Sequence, residues 1–338
     1  MTKRGITLVE LLVVLFIIVI LAGLLLPSVR MSGGGARRAE CQNNLRNIGL
    51  AVQNHVSQYG YLPNAGHSGR DLPSFNSSGT PHVGDRQVAG WAYQILPFIE
   101  QTMVWQGNDA ATPTIEQRQA AAVRAKIKIY FCPSFGLPRA HNGRGMIDYC
   151  GATTLPNGIL KKFASGMNTN PIAAAINIAA PDNNQPPDTA AGNGSECALV
   201  LNWNTSADVA GPDAKIIQYS IPMKEIRDGL SNTLLVGEKQ MNASLLPGST
   251  EDDEGYAAGW DIDTIRSSAR PPASDFNRTT DVNADGTSPR VYLFGSAHPG
   301  GMNIVLCDGA TRFVSSDIDP EVFARLCQRS DGVPVGDY

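Results

Sequence analysis

Arg4-Gly5-Ile6-Thr7-Leu8-Val9-Glu10 opens an apolar block that runs to Leu26 and stops at Pro27, with Glu10 the only charge between Ile6 and Leu26. Those residues make roughly 30 Å of helix, the thickness of a bilayer core. Residues 6–27 therefore read as a transmembrane helix. Lys3 and Arg4 stand just before it, so the positive-inside rule keeps that end in the cytoplasm and exports the remainder of the chain. A secretory signal peptide would have a shorter apolar core followed by a small-residue cleavage site. No Ala-x-Ala follows Pro27. A plain anchor leaves Glu10 unexplained, because a carboxylate inside a spanning helix is costly and marks a function.

Beyond Pro27, Gly33-Gly34-Gly35 costs a helix about 3 kcal/mol relative to alanine and predicts a kink or break. Helical spacing then resumes at Cys41, Leu45, Ile48, Val52, Val56 and Tyr59, a stripe suited to packing on a sheet. Gly60 ends that helix and Pro63 prevents its continuation. Residues 28–60 are thus an amphipathic extension, and 61–338 a globular head. Within the head, residues 64–90 read as loop and Gly90 to Gln101 as a short helix interrupted by Pro97. Residues 115–126 read as helix and Ile127 to Cys132 as a strand. Residues 166–215 are rich in Asn, Pro, Ala and Gly and read as an insertion.

The carboxy-terminal part carries the clearest strand signal. Pro222 to Asp228 is a short helix, Thr233 to Glu238 a strand, and Glu251 to Glu254 a solvated acidic turn. Arg290 to Phe294 and Met302 to Cys307 are strands. Asp308-Gly309 is a two-residue hairpin turn, and Ala310 to Val314 returns. Asp319-Pro320 caps and starts a last helix. The fold class expected is α+β, a long amino-terminal helix followed by a head with an antiparallel sheet.

Composition fits an exported body. Of 338 residues only 17% are charged, and 34 Gly with 22 Pro imply many loops. A net charge of −4 offers no field for nucleic acid. All six cysteines (Cys41, Cys132, Cys150, Cys197, Cys307, Cys327) come after the apolar block, outside the reducing cytosol, so at least one disulfide is expected. Cys307 with Cys327 and Cys132 with Cys150 are the candidate pairs by nearness in sequence. Asp281-Val282-Asn283-Ala284-Asp285-Gly286 looks like half of a calcium loop through Asp281, Asn283 and Asp285, but the twelfth position is Tyr292, which lacks the bidentate acid. No other cofactor is implied. No G-x-S-x-G, H-E-x-x-H or phosphate-binding glycine loop occurs, so no enzymatic role is expected. His55, His67, His82 and His141 are scattered and read as surface residues.

Gly5-Ile6-Thr7-Leu8-Val9-Glu10 closely resembles the prepilin signature, in which a dedicated peptidase cuts after the glycine and methylates the new amine. The resemblance implies a leader of residues 1–5, processing between Gly5 and Ile6, and Glu10 as the assembly glutamate. His298, nine intervening residues, then Asp308-Gly309 resembles the carboxy-terminal signature of a large bacterial family of prepilin-like proteins of unknown function. Cys41 to Leu50, Leu96 to Gln101, Phe131 to Ser134 and Asp228 to Glu238 look like the same family. Gly33-Gly34-Gly35 and residues 166–215 depart from it. His298 and Asp308 lie roughly 30 Å apart on an extended strand, so the motif reads as structural, with His298 pinning the loop before the strand and Asp308 and Gly309 making the turn. The resemblance implies an inner-membrane, single-pass protein with an exported head, whose partners are prepilin peptidase and other pilin-like subunits or further copies of itself. They would meet in a pilus- or pseudopilus-like structure linked to type II secretion. The rival is a membrane-tethered envelope protein with a binding head that never polymerises. A third class, an enzyme or carbohydrate-binding head, would need an aromatic-lined pocket.

Overall fold

The computed structural model describes residues 7–67, 69–108, 114–153, 221–242, 252–259, 261–268, 270–275, 293–336 and 338, with side chains left out at 22–33, 153 and 267. The expected calcium loop, the 166–215 insertion, the Gly5–Ile6 cleavage site, Glu251 and most of the 290–294 strand lie outside them.

Helix α1 spans Leu8–Tyr59. It opens on a capping box: Thr7 Oγ1 accepts from the Glu10 amide at 3.4 Å, and the Thr7 amide and hydroxyl both donate to Glu10 Oε2 at 2.8 Å. It closes on Gly60 in the left-handed conformation. The expected break at Gly33-Gly34-Gly35 is absent; the helix runs through it. The glycine penalty is local, and the long flanks on either side propagate the helix across it. Leu8, Val9 and the apolar residues from Leu11 to Leu21 are exposed on every side of α1. Among the described residues no helix is long and apolar enough to cross a membrane.

The second half of α1 packs as its stripe predicts. Cys41, Leu45, Ile48, Ala51 and Val52 are buried. His55 is buried too, at 1% exposure, which corrects its reading as a surface residue. It sits among the rings of Tyr59, Tyr61 and Phe98, and Nδ1 lies 3.0 Å from the Tyr61 carbonyl. Burial pulls its pKa down to about 4. The unfolded chain keeps the ordinary value near 6.5, so unfolding takes up a proton between the two. Stability from this site is full above about pH 6.5 and falls as pH drops toward 4, by on the order of 3 kcal/mol. Denaturation midpoints across that range should show the loss, and His55→Gln should flatten it.

The head continues with α2 (Trp91–Gln94), a 3-10 turn at Leu96–Ile99, α3 (Thr102–Trp105) and α4 (Ile115–Arg124). Pro97 enforces the split between the first two. Ile127 to Cys132 is a 3-10 turn over Lys128–Tyr130, not a strand. Its Tyr130 carbonyl takes the Asp148 amide at 2.8 Å, and its Tyr130 hydroxyl reaches the Ala92 carbonyl. These single bonds leave no ladder to pair with. A small hairpin comes next, β1 (Ala140–His141) with β2 (Arg144–Gly145). The main strands are β3 (Tyr149–Thr153), β4 (Leu234–Glu238), β5 (Ile265–Ser267), β8 (Gly301–Leu306) and β9 (Thr311–Ser315). Between them β6 (Ala273–Ser274) pairs with β7 (Gly295–Ser296), and Phe294 forms a bridge to Lys239. The segment after Pro222 is a 3-10 turn at Met223–Glu225. Helix α5 (Pro320–Leu326) is capped by the Asp319 carboxylate.

The sheet order is β5-β3-β4-β8-β9. It is antiparallel except that β3 pairs parallel with β5. Side chains alternate across it. Val305 and Cys307 join the core under α1, whereas Met302, Ile304 and Leu306 pack with Phe323 and Leu326 of α5 on the opposite face. By the same alternation Asn303 shares the α1 side with Val305, and Glu238 meets it there. The β8–β9 connection is longer than the two-residue turn expected: Val305 pairs Thr311, Leu306 accepts from Gly309, and the Leu306 amide donates to Ala310. Gly309, at φ 84°, supplies the left-handed residue of that three-residue loop. Gly49 of α1 lies against it; a Cβ there would come within 2.6 Å of Val305 and 3.3 Å of the Gly309 Cα.

Candidate functional site

Four segments far apart in sequence meet under α1. Cys41 comes from α1, Cys132 from the loop after the 3-10 turn, Glu238 from the last position of β4, and His298 from the loop before β8. Their ligand-type atoms all lie within 4.8 Å of one another, and all four residues are buried. Cys41 and Cys132 are joined by a disulfide, with Cα atoms 5.0 Å apart. His298 Nε2 lies 3.0 Å from Glu238 Oε1 and 3.5 Å from Cys132 Sγ.

The surroundings hold these groups in place. Glu238 Oε2 accepts from the Asn303 amide at 2.7 Å and from its Nδ2 at 3.2 Å, which leaves Oε1 turned to His298. Asn44 Nδ2 donates to the Phe131 carbonyl at 3.0 Å, binding α1 to the Cys132 loop. The His298 loop itself is tied by Ser296, whose hydroxyl donates to the Gly301 carbonyl at 2.7 Å and accepts the His298 amide at 2.9 Å. Gly301 permits the tight return, because a Cβ there would meet the Val314 carbonyl oxygen at 2.0 Å.

A buried ionic network adjoins the cluster. Asp148 Oδ2 accepts the Cys132 amide at 2.8 Å, and Oδ1 lies 2.6 Å from Arg139 Nη1. Arg139 also forks onto Asp252, whose Oδ1 is 3.0 Å from Lys239 Nζ. Lys239 reaches Asp263 at 3.4 Å, and Asp263 Oδ2 accepts the amides of Asp253, Glu254 and Gly255. Burial pushes the Asp148 carboxyl up, although Arg139 opposes it. Asp252 is also pushed up by burial, but Lys239 and Arg139 together carry it below the usual carboxylate range. The difference arises from the count of cations each acid faces.

Several expectations are corrected by this arrangement. A disulfide is present, but Cys132 pairs with Cys41 and not with Cys150. Cys307 and Cys327 do not bond to each other; Cys307 and Cys150 are buried thiols whose pKa burial raises, to about 12 for Cys150. His298 ties the loop before β8 through its amide, bonded to Ser296 Oγ, and through its side chain, which reaches across to Glu238 and Cys132. It stands before β8, and Asp308 stands after it, where Oδ1 accepts the Ala310 amide at 2.8 Å. The acidic stretch 252–254 is no solvated turn, since Asp252 is 1% exposed. Sequence reasoning does not single out Glu238 as a site residue; a lone acid closing an apolar strand is the available signal. A separate depression of about 460 Å3 is lined by Met103, Val104, Ala121, Arg124 and Ala125, with no aromatic ring to stack a sugar.

Cys41, Cys132, Glu238 and His298 each lie in one of the segments, 41–50, 131–134, 228–238 and 298–309, that resemble one family. A family model described as a protein of unknown function (DUF1559) matches residues 34–321. The chain belongs to that DUF1559 family. A second model, the prokaryotic N-terminal methylation motif, matches residues 1–26. In this DUF1559 chain the motif points to a prepilin-like, membrane-anchored envelope protein processed by prepilin peptidase. No curated protein and no solved structure matches it significantly.

Proposed function

We propose that this protein is a non-enzymatic structural subunit. Prepilin peptidase cuts it between Gly5 and Ile6, the apolar part of α1 lies in the inner membrane, and the chain assembles through that part with itself or other pilin-like subunits. The product is a pilus- or pseudopilus-like envelope structure of the type II secretion kind. The observation that carries the reading is the first part of α1. From Leu8 to Leu21 it is apolar around its whole circumference and exposed, and a helix of that kind is covered by lipid or by other helices. Its one carboxylate, Glu10, stands one turn past the proposed new amine of Ile6. In an assembly Glu10 pairs with the amine of a neighbouring subunit and sets the register between helices whose other contacts are apolar.

Glu10 also closes the capping box with Thr7, so two variants are needed. Glu10→Gln keeps a cap-competent side chain and removes the charge, whereas Glu10→Val removes both. Both are expected to insert, to begin at a methylated Ile6 by amino-terminal sequencing, and to fold the head normally. Both should fail to co-purify with a differently tagged wild-type copy from membranes and sheared surface material. Assembly of Glu10→Gln at the wild-type level would remove the charge from the mechanism. A wild type that never assembles would leave the tethered, non-polymerising reading in its place.

A further inference from the structure

The buried meeting of two cysteines, a histidine and a glutamate is more than a disulfide needs. A disulfide is satisfied by its own bond, yet here it has an imidazole nitrogen 3.5 Å from one sulfur, and that nitrogen holds a carboxylate oxygen at 3.0 Å. We propose that Cys41, Cys132, Glu238 and His298 form a closed, four-ligand site for a zinc-class divalent cation when the Cys41–Cys132 disulfide is reduced.

The donor set of two thiolates, one imidazole and one carboxylate suits a borderline ion with tetrahedral preference and is wrong for calcium or magnesium, which take oxygen ligands. Around such an ion the two sulfurs would stand about 3.8 Å apart, so reduction must let the bonded pair separate, while all four ligand atoms already lie within 4.8 Å of one another. The outer shell of a metal site is also in place. Asn303 binds Glu238 Oε2 twice and so presents Oε1, and Asp148 holds the Cys132 amide. Burial of all four residues leaves no open coordination position, so the ion would be structural, clamping α1 to the sheet as the disulfide does.

The two forms exclude each other. An external dithiol gives two electrons and two protons to the Cys41–Cys132 bond and is itself oxidised to a disulfide. The two thiols then release two protons to solvent as the cation binds their sulfurs. In the oxidised form Glu238 and His298 keep each other as partners, which explains why a carboxylate and an imidazole remain buried beside a sulfur pair.

The test uses the full chain in detergent, reduced anaerobically with a dithiol, freed of reductant and titrated with Co2+ as the probe. The expected result is one Co2+ per chain, with the intense thiolate charge-transfer and tetrahedral ligand-field bands of a two-sulfur site. The oxidised chain should bind none. His298→Ala and Glu238→Gln should each weaken Co2+ binding at least tenfold, whereas Cys307→Ser should leave it unchanged. Should those variants fail to fold, alkylation of reduced wild type with and without Zn2+ decides the matter. Zn2+ should slow modification at Cys41 and Cys132 and nowhere else, by peptide mass. Substoichiometric or octahedral Co2+ in the reduced wild type, or Zn2+ protection that omits these two cysteines, overturns the proposal.

Discussion

Replacing Cys41 and Cys132 together with alanine is expected to destabilise the head by about 4 to 5 kcal/mol. The bond closes a loop across a sequence separation of 91, and the chain-entropy view assigns a constraint of that length a stabilisation of this size. The bond also holds the buried half of α1 against the Cys132 loop, where Asn44 adds only a single hydrogen bond. Urea midpoints of wild type and double variant, taken in a chelator so that no cation replaces the bond, should differ by that amount. Reducing the wild type under the same conditions should reproduce the shift. An unchanged midpoint in both would show that packing of Leu45, Ile48 and Val52 fixes α1 unaided.

Lys239→Met should cost about 3 to 5 kcal/mol, because it removes a fully buried cation and keeps the acids it faced. Asp252 would retain Arg139, which it shares with Asp148, and Asp263 would lose its charged partner at 3.4 Å. The methionine fills nearly the same volume, so the loss is electrostatic. The pH dependence separates this from a packing defect. In the wild type Lys239 helps hold Asp252 below the usual carboxylate range, a contribution that is full above the unfolded value near 4 and is lost as pH falls below it, so the deficit of the variant is full at neutral pH and shrinks on acidification. Midpoints of the variant and wild type should therefore converge on acidification. A constant gap would assign the loss to packing.

Local signals read true wherever the chain's neighbours in sequence are its neighbours in space. Gly60 ends α1, Asp319 with Pro320 starts α5, and the turn after β8 uses Gly309. The site is legible only in part. Its four members lie in the segments that resemble one family, but nothing within any segment says that Cys41 faces Cys132, or that His298 crosses to Glu238. Nearness in sequence suggests other cysteine pairs, and the sheet, which sets those distances, overrules it. The acidic run at 252–254 misleads for a similar reason. Its composition suits water, while its actual counter-charges, Arg139 and Lys239, come from other loops. Ile127 to Cys132 has the alternation of a strand, but no neighbouring strand offers it a ladder, and Pro133 closes it off.

The place of the disulfide has a mechanical consequence. A pull on the amino-terminal end of α1 meets its first covalent tie to the rest of the head at Cys41 and passes through the sulfur bridge to Cys132. Tension thereby bypasses the residues from Gln42 to Phe131, and the buried half of α1 cannot be peeled off the sheet turn by turn. Extension is confined to the helix ahead of Cys41. A weak point in it is Gly34-Gly35, which has no side chains to brace adjacent turns and where an added Cβ would meet nothing within 4 Å. Under load that section would lengthen first, as a compliant spring in series with a rigid body, and the head would ride behind it undeformed.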